Sequence, residues 1–179
     1  MVQAHNNRQA SHQGLLRPTY QNRLRVIGHH LDRGQHRDVA ILEIDGGFIA
    51  RATSPKARRP QALEFPDTQF VELMQEALDY RGHGQKYNSH ASLLPTGYED
   101  FFRALGFLLD NQSALGITVC ELDAHLLVAG QQPSASIAGH KAMQNFERYL
   151  TRDDIQKLLD DAFKRRTTSA RRGGFLGIF

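Results

Sequence analysis

The sequence holds a single cysteine, no apolar run near the roughly 20 residues that span a bilayer, and no motif of a familiar enzyme class. Each absence excludes something. One cysteine rules out an internal disulfide framework, and Cys120, placed inside an apolar run, is expected to act as a small buried hydrophobe. Without a spanning run no membrane segment is expected. The N-terminal stretch MVQAHNNRQASHQG lacks the apolar centre of a signal peptide, so the expected location is cytoplasmic. Neither a G-x-S-x-G elbow nor an H-E-x-x-H helix occurs. Gly82-His83-Gly84 has no strand before it and no Lys-Ser/Thr after it, which excludes a phosphate-binding loop. His29 and His30 are adjacent rather than three or four apart, so their rings leave a helix in different directions. His5 and His12 lie in a polar arm, His83 and His90 in a loop and His125 in a turn. No metal and no cofactor are expected.

Charge of one sign is missing where a pI of 9.2 would suggest it. Residues 20–81 are neutral and residues 98–163 carry −5, whereas residues 1–19 carry +2 and residues 164–179 carry +5. Any attraction for polyanions therefore belongs mainly to the C-terminal end rather than to a globular face.

What the chain does have is self-similarity. Shifted by 78 positions, residues 20–55 align with residues 98–133 without a gap, and eight of the 36 pairs are identical. About two identities would be expected by chance at typical residue frequencies. The pairs are Tyr20/Tyr98, Arg25/Arg103, Gly28/Gly106, Leu31/Leu109, Asp32/Asp110, Glu43/Glu121, Asp45/Asp123 and Pro55/Pro133. The stretch DVAILEIDGGFIARA is echoed by GITVCELDAHLLVAG. An internal repeat is the reading.

One period must fit both copies. Tyr20, Leu24, Ile27 and Leu31, with Tyr98, Phe102, Leu105 and Leu109, are spaced for a helical stripe. Gly28 and Gly106 fall mid-helix, where glycine costs about 1 kcal/mol relative to alanine, so a second backbone is expected to cross closely there. The aliphatic runs 39–44 and 117–122 predict strands, each followed by a turn and a second strand at 48–52 or 126–129. Asp45-Gly46-Gly47 suits a tight hairpin, whereas Asp123-Ala124-His125 predicts a wider loop. Aliphatic residues on both faces of these strands predict a sheet covered over much of its area. A link, SPKARRPQALE, leads to a helix from about Pro66 to Gly82, with Phe70, Leu73, Met74, Ala77 and Leu78 on one face. Its counterpart at an offset of 85 spans Thr151–Arg166, preceded by a short helix expected around 141–150. Thr151 and Asp154 form a capping-box-like start.

The expected fold is α+β: a duplicated α-β-β-α unit whose two hairpins join into a four-stranded antiparallel sheet about a pseudo-two-fold axis, helices packed on it. Residues 1–19 form a mobile arm, 20–82 the first repeat, 83–97 a linker loop, 98–166 the second repeat and 167–179 a basic and apolar tail.

For function, the sequence points to a non-enzymatic binding or adaptor protein. The tail TTSARRGGFLGIF supplies the reason: Arg165, Arg166, Arg171 and Arg172 precede Phe175, Leu176, Ile178 and Phe179, and four large apolar residues so placed call for a receptor. That receptor is a protein partner, a second copy or the chain's own core. The first alternative is a nucleic-acid-associated protein that contacts phosphates through the same arginines and the Arg58-Arg59 link. The second is an enzyme using Glu43 and Glu121 as a carboxylate pair. The plainer reading of those glutamates has each facing solvent at a sheet margin or paired with an arginine such as Arg25 or Arg103.

Overall fold

A computed structural model describes residues 16–57, 59–81, 97–123, 125–134 and 142–173. The two helical stripes fold as expected. Helix α1 (Tyr20–Arg33) buries Leu24, Ile27 and Leu31, and β1 (Arg37–Ile44), β2 (Gly47–Thr53) and β3 (Gln61–Pro66) follow. After a single 3₁₀ turn, α2 (Phe70–Arg81) closes the first half. The second half runs α3 (Tyr98–Asn111), β4 (Leu115–Glu121), β5 (Leu126–Pro133), β6 (Met143–Leu150) and α4 (Arg152–Gly173). The fold is α+β, with four α-helices among the described residues and one antiparallel sheet. No described helix is long and apolar enough to cross a membrane.

The sheet has six strands, not four, in the order β3-β2-β1-β4-β5-β6. β1 and β4 join at its centre, pairing Ala40 with Cys120, Ile41 with Val119 and Leu42 with Thr118. The hairpins do meet edge to edge, but each half adds a third strand. β3 arises within the stretch expected to be a link: Leu63 and Phe65 alternate inward while Ala62 and Glu64 are exposed. β6 replaces the expected short helix around 141–150, because Phe146 and Leu150 pack on the core at the two-residue period of an outer strand. Each half is thus α-β-β-β-α. The last helix also differs from expectation, since its backbone continues past Arg166 to Gly173.

Irregularities repeat 78 positions on. The β1–β2 ladder slips between Arg37 and Ala40 and the β4–β5 ladder between Leu115 and Thr118. Each bulge holds one residue at positive φ, Asp38 at 54° and Gly116 at 62°. The loop before each strand does likewise at Gln35 and Ser113. Asp45-Gly46 makes the tight β1–β2 turn, with Gly46 at φ 80°, and the β4–β5 loop is wider, closed by the Leu122 amide donating to the His125 carbonyl.

Helices and sheet share one main core on one side of the sheet. Val39 and Ile41 from β1, Phe48 and Ala50 from β2, Ile117 and Val119 from β4 and Val128 from β5 meet Leu24 and Ile27 of α1 and Phe101, Phe102 and Leu105 of α3. Ile155 of α4 joins them, and Val26, Phe70 and Met74 tie α2 to the outside of α1. Among the described residues only this face is covered, less than the cover over much of the sheet that the aliphatic residues on both faces led one to expect. At the start of α4, the Asp154 amide donates to Thr151 Oγ1 and the Thr151 amide to Asp154 Oδ2, the reciprocal cap read from the sequence.

Candidate functional site

Three of the identical pairs, Tyr20/Tyr98, Gly28/Gly106 and Asp32/Asp110, converge on the contact between α1 and α3. A methyl group added at Gly28 would stand 2.7 Å from the Cα of Glu99, and one at Gly106 would stand 2.4 Å from the Tyr20 carbonyl oxygen. The close crossing expected at these glycines is therefore present. At the same crossing, each helix is capped by the other. The Tyr20 and Gln21 amides donate to the carboxylate of Asp110 at 2.9 Å each, and the Tyr98 and Glu99 amides to Asp32 at 2.8 and 2.9 Å. Amides in a first helical turn have no intrahelical acceptor and carry the positive end of the helix dipole, so a carboxylate satisfies both. Burial raises the pKa of Asp32 despite these two bonds.

Glu43 and Glu121 are held the same way. Glu43 Oε2 accepts from the Tyr20 hydroxyl at 2.6 Å and from the Ile117 amide at 2.8 Å. Glu121 Oε2 accepts from the Tyr98 hydroxyl at 2.7 Å and from the Val39 amide at 3.1 Å. Burial, with the adjacent carboxylate, raises the pKa of both phenols, so both stay protonated donors. Each carboxylate reaches an amide of the strand opposite. The register puts those amides four residues apart along the strand direction, on the order of 13 Å. The pair does not converge on one reacting atom. The arginine nearest Glu43 is Arg23, at 4.0 Å, rather than Arg25, which pairs with Glu99 at 3.1 Å. Sequence reasoning missed the tyrosines and aspartates as partners. Their signal was present, since all four are among the eight identities.

Arg165 reaches across to α3, its guanidinium lying 5.3 Å from the Phe107 ring centre. Arg166, Arg171 and Arg172 fall on the α4 backbone, their side chains outside the described set. Phe175, Leu176, Ile178 and Phe179 lie outside the described residues, as do Arg58, His5, His12, His83, His90 and most of the arm and linker. Among the described residues, no three His, Cys, Asp or Glu side chains gather as a metal-binding set.

The uncovered sheet face is the surface feature that the sequence did not reveal. Its residues form two rows crossing all six strands. Glu64, Ile49, Leu42, Thr118, Ala129 and Glu147 make the first, and Ala62, Arg51, Ala40, Cys120, Leu127 and Tyr149 the second. Leu42 is 50% exposed and Tyr149 57%, with Ile44 also exposed next to the first row. Cys120 is half-buried here rather than part of the core. A shallow hollow of about 620 Å³ lies over β4–β6, and among the described residues Glu147 is its sole ionisable lining residue. This face offers apolar area over β1, β4 and β5, with its charged side chains on β2, β3 and β6. No family model, curated protein or solved structure matches the chain.

Proposed function

We propose that the chain is two fused copies of one α-β-β-β-α unit about a pseudo-two-fold axis, and that it acts as a non-enzymatic binding or adaptor protein. One observation carries this reading: the tyrosines, aspartates and glutamates shared by the halves are engaged in joining them, while one whole sheet face keeps large apolar side chains exposed. Residues that would otherwise suggest chemistry are structural ties. A surface suited to burial against another polypeptide is what remains. The C-terminal residues Phe175, Leu176, Ile178 and Phe179 supply a second contact, a short apolar anchor that Arg171 and Arg172 guide toward an acidic surface.

Removing residues 174–179 tests the anchor. Unchanged melting temperature with loss of a co-purifying protein is the expected result; a large fall in melting temperature would mean that the segment packs on its own core. Fluorescence anisotropy with a mixed-sequence DNA duplex at low salt tests the nucleic-acid alternative. Binding that weakens as salt rises would replace the adaptor reading.

A further inference from the structure

We propose that the uncovered sheet face takes a second copy of this chain, packed face to face about a two-fold axis that lies between the sheets and runs across the strands. This inference goes beyond the adaptor reading, which survives if the chain proves monomeric.

The arrangement follows from the two rows. Six strands at about 4.8 Å spacing, with about five residues of about 3.4 Å each, give a footprint of roughly 29 by 17 Å before side-chain relief is counted. Both partners together then bury about the 1,000 Å² that a specific interface needs. Two sheets packed in this way stay roughly aligned, about 10 Å apart. Only two axis directions in the sheet plane keep the strands aligned, and they differ in what they bring together.

An axis along the strands would lay each row on itself reversed. Glu64 would then meet Glu147, and Arg51 would press on Leu127. Like charges opposed count against it. An axis across the strands lays the first row on the second. Leu42 then covers Ala40, Ala129 receives Leu127, and Arg51 lies over Ile49, where its aliphatic stem packs while the charge reaches outward. Glu64 comes over Ala62, beside Arg51 of the other copy, and Glu147 comes over Tyr149. The charge pairing selects this axis.

Sedimentation velocity of the full chain over a range of concentrations should show a species of twice the 20.2 kDa chain mass. Leu42→Asp should convert it to monomer with an unchanged far-UV circular dichroism spectrum. Arg51→Glu and Glu64→Arg, each at an exposed position, should each weaken the dimer at least tenfold. Mixed together, these two variants should dimerise with each other, because the cross-strand axis pairs Glu64 of one copy with Arg51 of the other, and the swapped pair likewise. The mixing arm separates contact between chains from contact within one. A monomer at every concentration would overturn the proposal, as would a dimer indifferent to Leu42→Asp, or single variants that fail to rescue each other. Release of a dimerisation-competent face only after residues 174–179 are removed would assign it instead to the chain's own C-terminal segment, and would also overturn it.

Discussion

The two halves use the same bolts and different fillings. In the first, α1 carries Arg25 and His29 into the contact, where Glu99 faces both, at 3.1 and 3.3 Å, with all three side chains almost fully buried. Seventy-eight positions on, His29 is replaced by Phe107, whose ring supports the Arg165 guanidinium, and Glu99 corresponds to Gln21. The outer helices follow suit. α2 meets α1 through Val26, Phe70 and Met74 and through Arg33, which pairs with Glu76 and lies 4.7 Å from the Tyr80 ring centre. α4 meets the core through Ile155, Leu158 and Leu159. Joining the halves requires the small set of glycine, tyrosine, aspartate and glutamate at matched places. Outside that set, charge in one half and aromatic area in the other serve equally well.

The largest expected effect breaks this contrast. Glu99→Ala removes the carboxylate facing Arg25 and His29 and should cost about 3 to 5 kcal/mol in urea unfolding. Gln21→Ala, at the matched place, should cost under about 1 kcal/mol. Equal costs would erase the distinction between the halves.

Gly28→Ala and Gly106→Ala come next and probe what the halves share. Each places a methyl group inside contact distance of the other helix's backbone, which cannot give way as a flexible side chain could. About 2 to 3 kcal/mol should be lost at either site, even after the roughly 1 kcal/mol by which alanine favours a helix. A neutral result at one would show that the crossing is tight on one side alone.

Tyr20→Phe and Tyr98→Phe should each cost about 1.5 kcal/mol, the value of a hydrogen bond to a charged acceptor. Their near-equality is the point to be measured. A difference above about 1 kcal/mol would show that Arg23, near Glu43 alone, changes the worth of the first bond.

The smallest effect is a pH dependence belonging to the first half. Burial lowers the His30 pKa, opposed by Glu76 and aided by His29 and Arg33, and the second half has Leu108 at the matched place. A depressed folded-state pKa means that the contribution is present above the ordinary imidazole value of about 6.5 and is lost as pH falls through the folded value. Melting temperature should therefore decline between pH 7 and 5, and His30→Gln should flatten that decline. An identical slope in the variant would remove His30 as its source.

Much of this frame was legible in the sequence because two aligned stretches constrained one another. RLRVIGHHL alone passes for a strand; YEDFFRALGFLLD, aligned to it, does not. The glycines announced a close crossing because they recurred where a helix disfavours them. The outer strands escaped for a different reason. An outer strand covered on one face needs only two or three inward apolar residues, so in β3 Leu63 and Phe65 were masked by the arginines and proline before them. In β6, Phe146, Tyr149 and Leu150 also fit a helical period, and the neighbouring Met, Gln, Glu and Arg favour helices in isolation. The open face was misjudged because Leu42 and Ile44 look like core residues when only composition is visible. Glu43 and Glu121 stood out in the sequence, but what they hold depends on strand register, which no local pattern contains.

The reciprocal capping of α1 and α3 has a consequence during synthesis. The Tyr20 amide finds its acceptor 90 residues later, at Asp110, and the edge of β1 awaits β4 over nearly as long a stretch. At about 5 to 20 residues per second, the stretch from the end of α2 at Arg81 to the end of β4 at Glu121 takes roughly 2 to 8 s, during which the first half stands without its partner. Throughout that interval it is a half-sheet with an open edge beside a helix whose first amides lack their carboxylate. Where nascent chains crowd together, a first half can meet the second half of a neighbour before its own, and every bolt described above would fit that exchanged partner equally well.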